Sequence, residues 1–201
     1  MAAPIEFWFD FSSPYGYLAS RRIETLAAKY GRDVDFRPML LGVLFRHVGT
    51  APLVDYPLKG DYSRHDIPRS ARFHGVADFR MPSRFPIPTQ AAARIVLWQK
   101  RTNAALAVRA VHALYRAYWV DDVDISAPDA AVAAAASAGV DAKGARAAID
   151  DPAVKDALKA EVDLAIARGV FGSPFVFVDG EPFWGLDRFD QVERWLATGG
   201  F

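Results

Sequence analysis

Residues 5–20, IEFWFDFSSPYGYLAS, constrain the fold of this chain more than any other stretch. Residues 5–11 form a short apolar and aromatic run of strand length. Ser13 and Pro14 then predict a helix start, because serine is a favoured N-cap and proline suits the first helical position. A strand that leads directly into a helix places free N–H groups and a positive dipole end at one point, which suits an anion.

A second strand follows this helix and completes a β-α-β unit. Gly31 ends the helix, and residues 34–38, VDFRP, alternate in polarity and end at a proline. We expect parallel strands joined by a right-handed crossover. Residues 39–48 predict a short helix. Residues 49–88 contain many Pro and Gly residues, and only residues 62–73 there could form a helix, with an internal proline near its start. Such a long irregular region is typical of a functional segment or an interface, although it could also simply cover the sheet edge.

The middle of the chain, residues 89–169, is strongly helical. Apolar residues recur there at helical spacing in five segments, and Thr89 is predicted as the N-cap of the first segment. The third segment is rich in alanine, but no heptad pattern persists through it. We therefore expect helices that pack tightly on one another rather than a coiled coil.

The end of the chain returns to strands. Residues 175–178, FVFV, predict a buried strand, Asp179 and Gly180 a tight hairpin turn, and residues 181–184 the returning strand. A final helix is predicted over residues 188–197. A terminal hairpin followed by a helix is the second half of a thioredoxin-like sheet.

These patterns together predict an α/β protein with a thioredoxin-like fold (β-α-β … β-β-α) and a large all-helical insertion. We predict one discontinuous domain from residues 1–63 and 166–201, and a helical insertion domain from residues 64–165. With 201 residues, the chain is long enough to bury a sizeable core.

Composition narrows the possible functions. The 24 basic and 24 acidic residues balance, so nothing draws the whole chain to nucleic acid or membranes. No apolar stretch approaches the roughly 20 residues that span a bilayer, and the N-terminus does not resemble a secretory signal. A cytoplasmic location is therefore expected. The four histidines lack the spacing of metal ligands, so we expect no metal site.

The absence of cysteine bears directly on function. Ser13, Pro14, Tyr15 and Gly16 occupy the place where thioredoxin-like proteins carry C-x-x-C, and the chain has 0 Cys residues. Disulfides, thiolate metal sites and intrinsic dithiol chemistry are thereby excluded. A helix N-terminus that lowers a cysteine pKa could instead stabilise the thiolate of a ligand. The alternative is that Ser13 only caps the helix.

Three segments carry a family resemblance: residues 7–19 (FWFDFSSPYGYLA), 117–126 (AYWVDDVDIS) and 169–189 (GVFGSPFVFVDGEPFWGLDRF). In order and spacing they resemble the 2-hydroxychromene-2-carboxylate isomerases, relatives of kappa-class glutathione transferases and DsbA-like oxidoreductases. The resemblance covers essentially the whole chain. It implies a homodimer that uses reduced glutathione as a cofactor and acts on a small aromatic molecule.

The resemblance also implies a glutathione site made of Ser13, Lys59, Ser173, Pro174, Leu186 and Asp187. Ser13 would lie against the glutathione sulfur, although Ser12 remains an alternative. Pro174 would be a cis-proline, and Ser173 before it would offer its backbone to the peptide-like ligand.

The resemblance assigns the γ-glutamyl end of glutathione to Leu186 and Asp187, and a further contact to Lys59. Thr50 stands near the place of an asparagine in kappa relatives, which is a departure from their pattern. Plainer roles also remain open: Asp187 could be only the N-cap of the last helix, and Lys59 an ordinary solvated lysine. Asp10 fits hydrogen-bonded structure better than catalysis.

An aromatic pocket wall could be formed by Trp8, Phe85 and Trp184, although core packing suits at least Trp8 better. Four basic residues are candidates for holding a substrate carboxylate: Lys59, Arg64, Arg69 and Arg84.

The implied activity is the conversion of 2-hydroxychromene-2-carboxylate, or a similar bicyclic intermediate of aromatic catabolism, to trans-o-hydroxybenzylidenepyruvate by reversible thiolate addition. A kappa-like glutathione transferase and a non-catalytic binding module on the same fold are the alternatives. The missing cysteines argue against a DsbA-like disulfide oxidoreductase.

Overall fold

Regular structure covers most of residues 2–201, the part of the chain that the computed structural model describes. Met1, where the first predicted domain segment begins, lies outside the described residues. The strands are β1 (Ile5–Phe9), β2 (Val34–Pro38), β3 (Phe175–Val178) and β4 (Glu181–Trp184). The helices are α1 (Pro14–Lys29), α2 (Leu41–Val48), α3 (Lys59–Phe73), α4 (Gln90–Lys100), α5 (Ala104–Trp119), α6 (Pro128–Ser137), α7 (Ala142–Asp150), α8 (Pro152–Ala167) and α9 (Phe189–Thr198). Short 3-10 turns cover Leu53–Asp55 and Leu186–Arg188.

The four strands form one mixed sheet in the order β2-β1-β3-β4. β1 pairs in parallel with β2, from Ile5 opposite Val34 to Phe9 opposite Pro38, and pairs antiparallel with β3 on its other side. β3 and β4 form the predicted hairpin, in which Asp179 and Gly180 both have positive φ. The predicted β-α-β … β-β-α order with a helical insertion is confirmed.

The first strand ends earlier than the sequence suggests. It stops at Phe9 rather than at residue 11, because the Asp10 carboxylate accepts a hydrogen bond from the Ser12 N–H at 2.8 Å and turns the chain. The Phe9 carbonyl accepts the Met39 N–H at 2.8 Å, just beyond the end of β2. The strand therefore delivers Ser12 and Ser13 through a tight turn rather than an extended segment.

A continuous core joins the sheet to the inserted helices. Phe9 and Phe11 pack on Tyr115 of α5 with ring centroids 5.5 and 4.9 Å apart, and Trp119 lies fully buried in the same cluster. The predicted domain boundary between residues 63 and 64 falls inside α3. The division into two domains therefore stays a prediction, although the two parts are packed as one body.

Two kinds of feature are absent from residues 2–201. None of the helices there combines the length and the apolarity needed to cross a membrane. Nor does that part of the chain gather three or more His, Asp or Glu side chains that could hold a metal ion.

Candidate active site

A cleft of about 1880 Å³ opens at the N-terminal end of α1. All six residues of the predicted glutathione site line it: Ser13, Lys59, Ser173, Pro174, Leu186 and Asp187. Pockets for one small ligand usually measure about 300–1,000 Å³, so this cleft is larger than one such ligand requires.

Ser13 caps α1 and lines the cleft at the same time. Its Oγ accepts the Gly16 N–H at 3.0 Å and donates its proton to the Ser173 carbonyl at 2.9 Å. The residue is almost fully buried, so both bonds are shielded from water. Ser13 is therefore the N-cap of α1, and capping fixes its hydroxyl at the positive end of the helix dipole.

Ser12 also lines the cleft but has a different set of partners. Its Oγ accepts the Ile87 N–H at 3.1 Å. That partner belongs to the predicted insertion rather than to α1. The N-cap geometry therefore belongs to Ser13, and its choice as the partner of a ligand sulfur stays a prediction.

Gly16 is a point of close approach between α1 and the loop before β3. A Cβ atom there would lie 2.7 Å from Ser173 Oγ, 3.0 Å from Tyr115 Oη and 3.1 Å from Ser13 Cβ. This is the position that carries the second cysteine in a C-x-x-C motif. The packing in this chain leaves no space for any side chain at that place.

The Ser173–Pro174 peptide bond is cis, in agreement with the prediction. Ser173 Oγ accepts the Asp10 N–H at 3.2 Å, which ties this loop to the end of β1. The Pro174 carbonyl accepts the Gly185 N–H at 3.0 Å. The cis-proline loop is therefore linked both to the Ser12–Ser13 turn and to the segment that carries Asp187.

Asp187 projects from a 3-10 turn, and 73% of its side chain is exposed. Gly185 has a φ of 104°, and a Cβ there would lie 2.4 Å from Asp187 Oδ1, so only glycine lets the carboxylate occupy this place. The α9 helix has Arg188 at its N-cap position and no side-chain cap. The alternative that Asp187 only caps the last helix is therefore wrong.

Three of the four cations predicted for a substrate carboxylate are not among the described residues that line the cleft: Arg64, Arg69 and Arg84. Arg84 pairs with Asp124 at 2.7 Å, and Arg69 pairs with Asp66. The Arg64 guanidinium donates to the Val54 carbonyl at 3.3 Å. None of these three side chains lines the cleft in this structure, and the choice of a cation for a substrate carboxylate stays a prediction.

Lys59 does line the cleft, and its Nζ lies 5.2 Å from the centroid of the Tyr56 ring. Three further arginines there were missed: Arg22, Arg46 and Arg188. Arg22 lies seven residues after Tyr15, which also lines the cleft, and this helical spacing on α1 was the signal that could have revealed it. Arg46 lies in the last turn of α2 and forms no ion pair within residues 2–201.

Aromatic side chains form part of the wall. Phe85 and Trp184 line the cleft, whereas Trp8 is fully buried in the core as expected. The Trp184 ring lies 4.8 Å from Phe171 and rests on the backbone of Gly172, where a Cβ would meet Trp184 Nε1 at 2.2 Å.

A polar cluster between α1 and α3 was not foreseen. The Tyr15 hydroxyl donates to Asp66 Oδ2 at 2.6 Å, Ser70 donates to the same oxygen at 3.2 Å, and Arg69 pairs with Asp66. Burial alone would raise the pKa of Asp66, but these hydrogen bonds lower it overall. Burial and Asp66 together raise the pKa of Tyr15. The cluster keeps α3, which begins at Lys59, against the first turn of α1.

The sheet order, the cis-proline loop and the serine-capped first helix define a thioredoxin-fold protein. A family model described as "DSBA-like thioredoxin domain" matches residues 4–197, so the chain belongs to that family.

Two relatives show what the chain is similar to in sequence. The chain is 28% identical to a 2-hydroxychromene-2-carboxylate isomerase of Sphingobium xenophagum, with 98% of this chain and 99% of that protein covered. It is 25% identical to glutathione S-transferase kappa 1 of Homo sapiens, with 96% and 92% covered. A solved structure of 2-hydroxychromene-2-carboxylate isomerase superposes with a TM-score of 0.86 at 24% identity, covering 96% of this chain and 94% of the other. That superposition supports the fold.

Proposed function

We propose that this protein is a glutathione-dependent isomerase that converts 2-hydroxychromene-2-carboxylate, or a similar bicyclic aromatic intermediate, to trans-o-hydroxybenzylidenepyruvate. The observation that carries the proposal is that one cleft gathers all six residues assigned to glutathione by family resemblance. The isomerase relative covers nearly the whole of both chains, which supports the same reaction class.

Ser13 and the α1 N-terminus are the groups suited to a thiolate. Bound glutathione would supply the nucleophilic sulfur that this cysteine-free chain lacks, adding reversibly to the conjugated carbon so that the ring opens and the former double bond rotates. The Ser13 hydroxyl and the free N–H groups of the first turn favour the charged sulfur over the neutral thiol.

The Ser13 proton is already engaged in the free protein, because it is donated to the Ser173 carbonyl at 2.9 Å. An extended ligand whose amide N–H binds that carbonyl would compete with Ser13 for it. The serine hydroxyl, which has one proton, would then be released toward the sulfur. Ligand binding at Ser173 and activation at Ser13 would thereby be coupled.

The charged residues of the cleft suit a ligand that carries both carboxylates and an ammonium group. Asp187 lies 3.5 Å from the guanidinium of its neighbour Arg188 but stays largely exposed, and it suits an ammonium. Lys59 and Arg46 are free of ion pairs within residues 2–201 and suit carboxylates. Phe85 and Trp184 offer apolar surface to an aromatic substrate.

The first experiment is a titration with reduced glutathione, followed by tryptophan fluorescence and by the thermal unfolding temperature. We expect saturable binding that raises the melting temperature, since a ligand at a hundredfold excess over its Kd adds about 2.7 kcal/mol of stability. Asp187→Ala should weaken binding about tenfold through loss of a charge-assisted bond. Glu193→Ala is the matched control, because Glu193 is an acid of the same C-terminal region that pairs with Lys29 and lies outside the cleft.

No binding at millimolar glutathione would refute the thiol mechanism and favour a non-catalytic binding module. With binding established, incubation with the chromene carboxylate should yield the ring-opened isomer while the free thiol concentration stays constant. The human kappa relative favours a transferase as the second candidate. A transferase would instead consume one thiol for each product formed.

The expected homodimer and the cytoplasmic location stay predictions. Light scattering of the purified protein at several concentrations tests the first, and fractionation of cells that express the full chain tests the second.

A further inference from the structure

Asp10 is a buried acid that the proposed reaction does not use. Only 4% of the residue is exposed, and no cation of residues 2–201 pairs with it. Its carboxylate accepts three hydrogen bonds: from the Ser12 N–H at 2.8 Å, the Leu41 N–H at 2.7 Å and the Thr89 hydroxyl at 2.9 Å. Burial raises its pKa, and these three bonds lower it in part.

Three helices begin around this one side chain. The Ser13 N–H, at the α1 N-cap, donates to the Asp10 carbonyl at 3.0 Å. Leu41 is the first residue of α2, and Thr89 is at the N-cap position of α4. A carboxylate among three helix N-termini is stabilised by their dipoles, which explains how it is accommodated without a cation. The sequence predicts Thr89 as the α4 N-cap, but its hydroxyl serves Asp10 rather than its own helix.

The predicted insertion supplies donors to every residue of the Asp10–Ser12 turn. Four groups from residues 64–165 make these bonds: Thr89 to the Asp10 carboxylate, Tyr115 Oη to the Asp10 carbonyl at 3.2 Å, Trp119 Nε1 to the Phe11 carbonyl at 2.8 Å, and Ile87 N to Ser12 Oγ at 3.1 Å. Each of these bonds joins residues at least 75 positions apart in the chain. The turn before Ser13 is therefore held by hydrogen bonds from the helical part of the molecule.

We propose that Asp10 is a positioning residue that holds the Ser12–Ser13 turn in place, and that Thr89 extends this hold from α4 to the site. The geometry is the basis: one carboxylate joins the turn, the start of α2 and the start of α4. Its effect on catalysis rests on the proposed function, whereas its effect on the turn does not.

The test compares wild type with Thr89→Val, Thr89→Ser and Asp10→Asn. Thr89→Val keeps the shape and removes one donor, Thr89→Ser keeps the donor, and Asp10→Asn places an NH₂ group against one of two backbone N–H donors. Thr102→Val is the matched control, because Thr102 follows the other end of α4 and contacts Gln99 rather than the turn. Hydrogen exchange of the peptide over residues 10–18 reports on the turn, with residues 128–137 as a distant reference.

We expect exchange in residues 10–18 to be about tenfold faster in Thr89→Val and in Asp10→Asn, since each loses a hydrogen bond to a charged or buried group. Residues 128–137 should exchange at the wild-type rate. In the proposed isomerisation, kcat should fall about tenfold in both variants while KM for glutathione changes less, and Thr89→Ser should restore both properties. Thr102→Val should match wild type.

Two results would overturn the proposal. In the first, Thr89→Val and Asp10→Asn have a lower melting temperature but keep the wild-type exchange rate and kcat. In the second, Thr89→Val loses kcat and Thr89→Ser does not restore it. Should Thr89→Val not fold, Asp10→Asn carries the same test. A wild-type protein that does not bind glutathione, but whose turn still exchanges faster in Thr89→Val, would refute the proposed function and support the positioning role.

Discussion

The Ser13 hydroxyl shows at the residue scale what sequence reveals and what it hides. Its role as N-cap was predictable, because Ser-Pro before a helix is a local pattern. Its bond to the Ser173 carbonyl joins residues 160 positions apart, and no local pattern predicts such a contact. The same holds for Asp10, whose structural role was expected but whose partners Leu41 and Thr89 could not be named.

Ser13→Ala should lower both stability and activity. Loss of the N-cap should reduce the free energy of unfolding by about 1 kcal/mol, as measured by urea denaturation. The proposed rate should fall about 100-fold, as expected when one donor to a developing charge is removed. Ser12→Ala is the companion variant and should retain most activity. The assignment to Ser13 fails if Ser12→Ala alone abolishes turnover.

His74 should make stability depend on pH. Burial, followed by the charge of Arg22 at 3.1 Å, lowers its pKa below 6.5 in the folded state. The unfolded chain therefore binds this proton more readily, so the stabilisation is present above pH 6.5 and is lost as the pH falls below it. We expect the drop in melting temperature from pH 8 to pH 5.5 to be smaller in His74→Gln. His65→Gln, an exposed site on α3, is the control; an unchanged slope in His74→Gln contradicts the prediction.

The α3 helix illustrates the element scale. Sequence predicts a helix around residues 62–73 with a proline near its start, whereas α3 begins at Lys59 and Pro68 lies in its interior. Proline disfavours a helix interior, so local propensity argued for a later start. The α3 helix is held by the hydrogen bond between Asp66 and Tyr15 and by contacts with the Leu53–Asp55 turn. These contacts stabilise the earlier helix start at Lys59. Strand and helix order could be predicted from periodicity, but support of this kind comes from distant residues.

Replacing Leu58, just before α3, with glycine should relieve backbone strain. It has a φ of 64°, a conformation that disfavours side chains, and it is 83% exposed. Leu58→Gly should therefore be more stable than Leu58→Ala by about 1 kcal/mol in urea denaturation, because both lose the side chain but only glycine relieves the backbone. Equal stabilities would show that the backbone at residue 58 is not strained.

Gly16→Ala should be destabilising where α1 meets the loop before β3. Its Cβ would lie within 3.1 Å of three groups, so the variant should lose about 1–3 kcal/mol and shift Ser13. Gly42→Ala is the matched control, because the nearest atom to its Cβ is 4.0 Å away, and it should gain up to about 1 kcal/mol. Thermal denaturation measures both. An equally stable Gly16→Ala would mean that the loop yields without cost.

The whole molecule is organised around contacts between the sheet and the inserted helices. The order of strands and helices could be predicted, but the packing of Phe9 and Phe11 against Tyr115 and Trp119 could not, because tertiary packing leaves no local signature. The same is true of the arginines that line the cleft. Nothing in the sequence distinguishes Arg46, which lines the cleft, from Arg64, Arg69 and Arg84, which do not.

This shared core predicts a single unfolding transition. Trp98 and Trp119 lie in the predicted insertion, whereas Trp8, Trp184 and Trp195 lie in the remainder. We expect urea transitions followed by tryptophan fluorescence and by far-ultraviolet circular dichroism to coincide within error. Trp98→Phe with Trp119→Phe restricts the fluorescence to the sheet region as a control. Two separated midpoints would show that the insertion folds as an independent domain.

The close packing at Gly16 also bears on how the protein responds to oxidants. The packing at Gly16 leaves no room for a cysteine side chain, and the chain contains no cysteine elsewhere. The thiol of a ligand bound in the cleft therefore could not form a mixed disulfide with the protein. Under the proposed function, an oxidant would consume a replaceable small molecule and leave the protein's own groups at the reaction centre intact. Recovery would then require exchange of the thiol from solution, with no reductase acting on the protein.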